Sequence, residues 1–132
     1  MTEWLVHAKP MLLGALIMAV SAVGQARAED RRAGYIQIAE LDVDPAQLES
    51  YEAAAKEQIE TAIRVEPGVL ALYCVADKNN PSHLHVFEMY ANIDAYKAHL
   101  ESAHFKKYKA ATKEMVKSLN LVSTYPIILG AK

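Results

Sequence analysis

Four histidines and one glutamate in the second half of this chain have the chemistry to move protons or hold a polar ligand. Imidazole is the one ordinary side chain that changes charge near neutral pH, so histidines are the natural candidates for a base. His99 lies beside Tyr96 and Leu100, the inner positions of a short helical stretch, and can lean inward as a base; it can equally be a half-exposed helix histidine with no task. His104 follows Ser102, a residue able to cap a helix, and a helix N-terminus disfavours imidazolium. A neutral ring there could accept a proton, hold a substrate oxygen or make a local structural contact. Glu88 stands mid-strand in phase with Leu84, Val86 and Tyr90, where a carboxylate needs a partner or a proton. Tyr90, Tyr35 and Gln37 share its predicted face and are candidate substrate contacts, although an aromatic strand residue also serves as plain core. His83 and His85 alternate with Phe87 and Met89. Two histidines at that spacing with no third ligand nearby are weak for zinc, so no metal is expected. Cys74 lies alone on an apolar stretch and reads as a small buried hydrophobe.

The elements that must position these groups are well punctuated. Tyr35–Val43 (YIQIAELDV) predicts a strand, apolar on both faces in its first half and so covered on both sides. Asp44 and Pro45 open a helix, with Gln47 at capping-box spacing. Leu48, Tyr51, Ala55, Ile59, Ala62 and Ile63 form its apolar face, and Glu66-Pro67-Gly68 ends it. Val69–Ala76 and His83–Ala91 predict a hairpin joined by the longer polar turn Asp77–Pro81. Asn92 caps a short helix through Leu100, and Ser102 restarts it with Phe105, Tyr108, Thr112, Met115, Val116 and Leu119 as the stripe. Leu121–Leu129 closes as a strand, with Pro126 at a sheet edge or bulge. The order is β-α-β-β-α-β, an α+β fold of the ferredoxin-like split kind.

The chain's 132 residues allow one domain, and 52% hydrophobic with 23% charged residues is ordinary for a globular protein. A net charge of −2 gives no footing for nucleic acid. Lys106, Lys107 and Lys109 read as a solvated helix face. Ahead of the domain, Lys9 precedes the apolar run Met11–Val23 and then Ala26-x-Ala28, the small-x-small pattern of a cleaved signal peptide. The expectation is a signal peptide over residues 1–28, a domain over 29–132, a periplasmic location and no stable membrane insertion after cleavage. Glu3 and the early apolar Trp4-Leu5-Val6 keep an uncleaved amphipathic anchor as the other reading.

Glu66-Pro67-Gly68, the strand end Val86-Phe87-Glu88-Met89-Tyr90 and the run Asp94–Phe105 (DAYKAHLESAHF) together resemble the antibiotic biosynthesis monooxygenase domain. The likeness is nearest to its quinol monooxygenase-like members and extends from Tyr35 to about Leu129. It implies a four-stranded antiparallel sheet that pairs with a second copy as a dimeric α/β barrel, with a pocket between each sheet and its helices. Glu88 would face those helices and orient His99 or touch substrate, while His83 and His85 would face the partner sheet. It further implies oxidation of a small quinol or phenol by molecular oxygen with no cofactor, His99, His104 and Glu88 serving catalysis. A phenol must lose its proton before it readily yields an electron to oxygen, so a base in a dry pocket is required. Relatives that degrade haem carry an asparagine, a tryptophan and a helix histidine where this chain has Leu41, Tyr90 and Lys109, which sets that activity aside. A non-catalytic module for small ligands and an isomerase of small carbonyl compounds are the rival readings. Mass spectrometry of the exported protein should find Glu29 as the first residue; an intact Met1 would exclude cleavage.

Overall fold

A computed structural model describes residues 34–132, and the expected signal peptide with its cleavage site lies outside the described residues. The elements run β1 (Tyr35–Val43), a 3-10 turn (Pro45–Gln47), α1 (Leu48–Val65), β2 (Val69–Asp77), β3 (Asn80–Tyr90), α2 (Ile93–Glu101), α3 (Ala103–Thr112) and β4 (Val116–Thr124). The four strands form one antiparallel sheet in the order β2-β3-β1-β4. The expected topology holds, with the second helix broken in two. No helix among the described residues is long and apolar enough to cross a membrane.

Strand phase decides what faces the helices. Gln37, Ala39 and Leu41 of β1 pair with Glu88, Val86 and Leu84 of β3, so a polar pair and apolar pairs share one face. Ala39, Leu41, Val43 and Leu84 pack on Tyr51 and Ala55 of α1 in one core cluster. Val69, Leu72 and Tyr90 pack on Ala62 in a second. Gln37, Gln58, His99 and Thr112 are buried as well, which puts polar side chains inside a small core. Buried polar groups need partners: Gln58 and His99 pair with each other, Gln37 donates to Glu88, and Thr112 donates to the Tyr108 carbonyl.

Helix ends follow the sequence with one refinement. Asp44 accepts from the Ala46 amide at 3.0 Å, but the turn it caps is the 3-10 segment ahead of α1. Gln47 reaches the Asp44 side chain (3.2 Å) instead of its backbone amide. Asn92 accepts from Ala95 N (2.9 Å), and Ser102 accepts from Phe105 N (3.3 Å). Ser102 also donates to the His99 carbonyl at 2.6 Å, which closes α2 as α3 opens.

Two expected boundaries are corrected. The last helix ends at Thr112, and Val116 and Leu119 belong to β4, not to its stripe. The closing strand is therefore Val116–Thr124, not Leu121–Leu129. Ladder pairing with β1 wins over helical spacing here: Val116 meets Val43, Leu119 meets Leu41 and Thr124 meets Ile36. Beyond Ile36 little of β1 remains to pair, so Pro126 lies past the strand. The hairpin is also tighter than expected, since only Lys78 and Asn79 separate β2 from β3.

Gly68 is a close approach. A Cβ built on it would stand 2.6 Å from the Ala95 Cβ of α2, closer than such atoms come. Gly68→Ala should push α2 away and destabilise the fold by about 1–3 kcal/mol, in the range of overpacked cores. Chemical denaturation measures it, and adding Ala95→Gly should recover most of the loss. An unchanged midpoint in the single variant would show that α2 is not seated on the turn.

Candidate active site

A cavity of about 320 Å³ lies between the sheet and the helices. Its walls are mainly apolar, with Leu41, Leu72, Val86 and Phe105 among them. Gln37, Gln58, Glu88, Tyr90 and His99 are among its polar groups. The size and the sparse polarity suit one small ring compound.

His99 sits in the last turn of α2, 2% exposed, against the rings of Phe105 (4.8 Å) and Tyr90 (5.4 Å). Its Nδ1 lies 2.6 Å from Glu66 Oε2. A carboxylate only accepts, so Nδ1 carries the hydrogen and donates it. In the neutral ring Nε2 then holds the lone pair, and the Gln58 amide nitrogen donates to it at 2.9 Å. Gln58 is 6% exposed, and its Oε1 has no partner among the described residues. The resting arrangement is a hydrogen-bonded row, Gln58 to His99 to Glu66, ending on a carboxylate. It keeps the imidazole in the tautomer that a general base needs.

Glu88 anchors a second network. Its Oε2 accepts from Gln37 Nε2 (2.8 Å) and from the Tyr90 hydroxyl (2.9 Å). The Tyr35 hydroxyl donates to Gln37 Oε1 at 3.3 Å. Among the described residues nothing bonds the other oxygen of Glu88, leaving it able to accept from a ligand hydroxyl. Burial, and then the Glu88 charge, push the Tyr90 hydroxyl far above the ordinary phenol range. Burial does the same to Tyr51, whose hydroxyl lies 2.7 Å from that of Tyr108, and raises the Cys74 thiol. These groups stay protonated and act as donors. His99 and Glu88 are the cavity's candidates for a base.

The expected site residues are only partly brought together. His99, Glu88, Tyr90 and Gln37 line the cavity. Tyr35 stands behind it, stacked on Tyr96 at 4.6 Å, and acts through Gln37. His104 also lies outside: the break at Ser102 turns it to the far side of Glu66, where its Nε2 donates to Oε2 at 2.7 Å. The expectation that Glu88 orients His99 is corrected, because Glu66 does so. In the sequence Glu66 marks a helix stop and belongs to a family-like segment, neither of which points to these partners, which lie 33 and 38 positions away. Gln58 did leave a signal, since it falls on the same helix face as Tyr51, Ala55 and Ala62.

Two groups of side chains have metal-ligand chemistry among the described residues. One is Glu66, His99 and His104, whose nitrogens sit at hydrogen-bond distance from a single oxygen. An ion there would have to part them and take the Nδ1 proton. The other is Asp77, His83 and His85, on the opposite face of the sheet. It brings to the histidine pair the third ligand that the linear sequence lacked. Leu41, Tyr90 and Lys109, the positions weighed against haem, all line the cavity.

Residues 34–111 match the family model for antibiotic biosynthesis monooxygenase. Among solved structures, the chain is 44% identical to a protein from Bacteroides thetaiotaomicron provisionally named an antibiotic biosynthesis monooxygenase. That match covers 77% of this chain and 97% of the other, with a TM-score of 0.74. A protein from Lactobacillus acidophilus, provisionally named a monooxygenase, is 28% identical over 70% of this chain and 44% of its own (TM-score 0.69). One from Caulobacter crescentus shares the fold at 24% identity, covering 80% and 99% (TM-score 0.66). No curated protein matches the chain.

Long-range proton–nitrogen spectra of the imidazoles should show His99 protonated at Nδ1 and bare at Nε2 at mildly alkaline pH. A ring protonated at Nε2 would mean that the Gln58 amide is reversed and the base is blocked.

Proposed function

This chain belongs to the antibiotic biosynthesis monooxygenase family, and we propose that it oxidises a small quinol or phenol with molecular oxygen, the substrate supplying the electrons. The observation that carries this reading is His99 in the cavity wall, tied through Nδ1 to Glu66. A substrate hydroxyl takes the place of the Gln58 amide at Nε2 and gives up its proton there. The resulting imidazolium keeps its Nδ1–H on Glu66, and the adjacent carboxylate stabilises the new charge. Glu88, held by Gln37 and Tyr90, accepts from a second hydroxyl and sets the ring's orientation. The phenolate then reduces oxygen inside an apolar enclosure that shields the intermediates from water. For a hydroquinone the balance is one oxygen atom into the ring, the other into water, and a hydroxyquinone as product.

The same proposal includes a homodimer. The sheet face turned away from the helices carries Tyr73 and Val75, 65% and 60% exposed, with Phe87 stacked on Tyr73. Exposed apolar surface of this kind needs a cover, and a second sheet supplies one. We further propose that the chain works in the periplasm after loss of its leader.

Oxygen-electrode assays with a panel of hydroquinones test the reaction. Uptake should exceed autoxidation, and His99→Ala should lower it by about 10²-fold or more, the usual contribution of a positioned base. Loss in Glu88→Gln with His99→Ala still active would move the base to Glu88. Saturable binding without uptake would favour a ligand-binding module, and turnover without oxygen would favour an isomerase. A haem absorbance band in the purified protein would overturn the case against haem.

A further inference from the structure

Asp77, His83 and His85 meet at the hairpin end of the sheet, on the face away from the cavity. Leu84 and Val86 point to the helix side, so the alternating His83 and His85 point to the other. His85 Nε2 lies 3.0 Å from Asp77 Oδ1. His83 Nδ1 lies 2.8 Å from Asp42 Oδ1 and donates to it. The two rings stand edge to face, centroids 4.7 Å apart. One ligand atom from each of Asp77, His83 and His85 lies within 4.8 Å of the others.

We propose that these three side chains bind a divalent first-row metal ion of the zinc class, and that Asp42 fixes His83 from behind. The donor set is two imidazoles and a carboxylate, which suits zinc and its neighbours and leaves a fourth position for water. Ligand atoms around a tetrahedral zinc lie about 3.3 Å apart, given metal–ligand bonds of roughly 2.0–2.1 Å. The His85–Asp77 pair therefore has to open by only a few tenths of an ångström. With Nδ1 committed to Asp42, the other ring nitrogen of His83 is left for the metal. A carboxylate behind the ligating histidine is the usual outer partner at zinc sites.

Asp42 is itself held, since Ser118 Oγ donates to its Oδ2 at 2.8 Å. The arrangement thus draws on β1, β2, β3 and β4, and an ion there would clamp one end of the sheet. Charge points the same way. Glu40 shares this face with Asp42 and is bonded by Asn120. Among the described residues, the cations within salt-bridge distance of Asp42 and Asp77 are His83 and His85 alone.

The test is calorimetric titration of the untagged, metal-stripped protein with Zn²⁺, and with Co²⁺ followed by its visible ligand-field bands. One equivalent should bind per chain, and Co²⁺ should give the intense bands of a four- or five-coordinate ion. His83→Ala, His85→Ala and Asp77→Asn should each abolish or severely weaken binding. Asp42→Asn should weaken it by about 10- to 100-fold, as loss of an outer-sphere partner does. His104→Ala should leave it unchanged. No saturable binding would overturn the proposal. So would binding that survives both histidine variants, or that disappears with His104.

Discussion

A single carboxylate oxygen organises this protein's site. Glu66 Oε2 receives a ring N–H from His99 at 2.6 Å and another from His104 at 2.7 Å. That one atom ties the turn after α1 to the last turn of α2 and the first turn of α3. Hydrogen bonds to an ionised oxygen are short and strong, and both partners here are largely shielded from water. The surrounding chain keeps the oxygen in place. Pro67 ends the helix, and Gly68 lets α2 approach to a distance that any side chain would forbid. Ser102 closes α2 and turns His104 back toward Glu66. Removing the carboxylate would leave His99 Nδ1 without its acceptor and the ring free to choose its tautomer, and would leave His104 Nε2 with Ser102 Oγ at 3.2 Å.

The cavity follows from how the core is divided. Two apolar clusters hold α1 against the sheet, one around Tyr51 and Leu84 and one around Ala62 and Tyr90. Polar side chains run along the cavity wall, and two groups of them are paired with each other. Gln37, Glu88 and Tyr90 satisfy one another across neighbouring strands, while Gln58, His99 and Glu66 do so between helices and turn. Among the described residues, the Gln58 carbonyl oxygen is buried with no partner. An amide that donates to Nε2 while its oxygen goes unpaired is a placeholder more readily displaced than a fully satisfied one. That is consistent with a site in which an incoming hydroxyl takes over the imidazole nitrogen.

Much of the architecture was legible because local signals agreed. Asp44, Asn92 and Ser102 all accept from backbone amides at turn and helix starts, as their types and positions suggested. Strand phase correctly put Gln37, Glu88 and Tyr90 on one face; His99, beside Tyr96 and Leu100, was open to an inward or a half-exposed reading, and it turns inward. The errors were non-local. Val116–Leu119 suits a helix by spacing alone, and only the partner β1 makes it a strand. Glu66 looked like punctuation because its role depends on two rings more than thirty positions away. His104 shares a segment with His99, yet the break at Ser102 sends it outside the cavity. The third ligand beside His83 and His85 became visible only once the hairpin placed Asp77 against them.

In the proposed reaction the lone pair of His99 Nε2 receives a substrate hydroxyl. A crystal structure with a phenol that resists oxidation bears on this most directly. The phenolic oxygen should lie within hydrogen-bond distance of Nε2, with the Gln58 amide moved aside and the Nδ1–Glu66 bond intact. A ring bound elsewhere, or bound in the cavity while Gln58 still occupies Nε2, would contradict it.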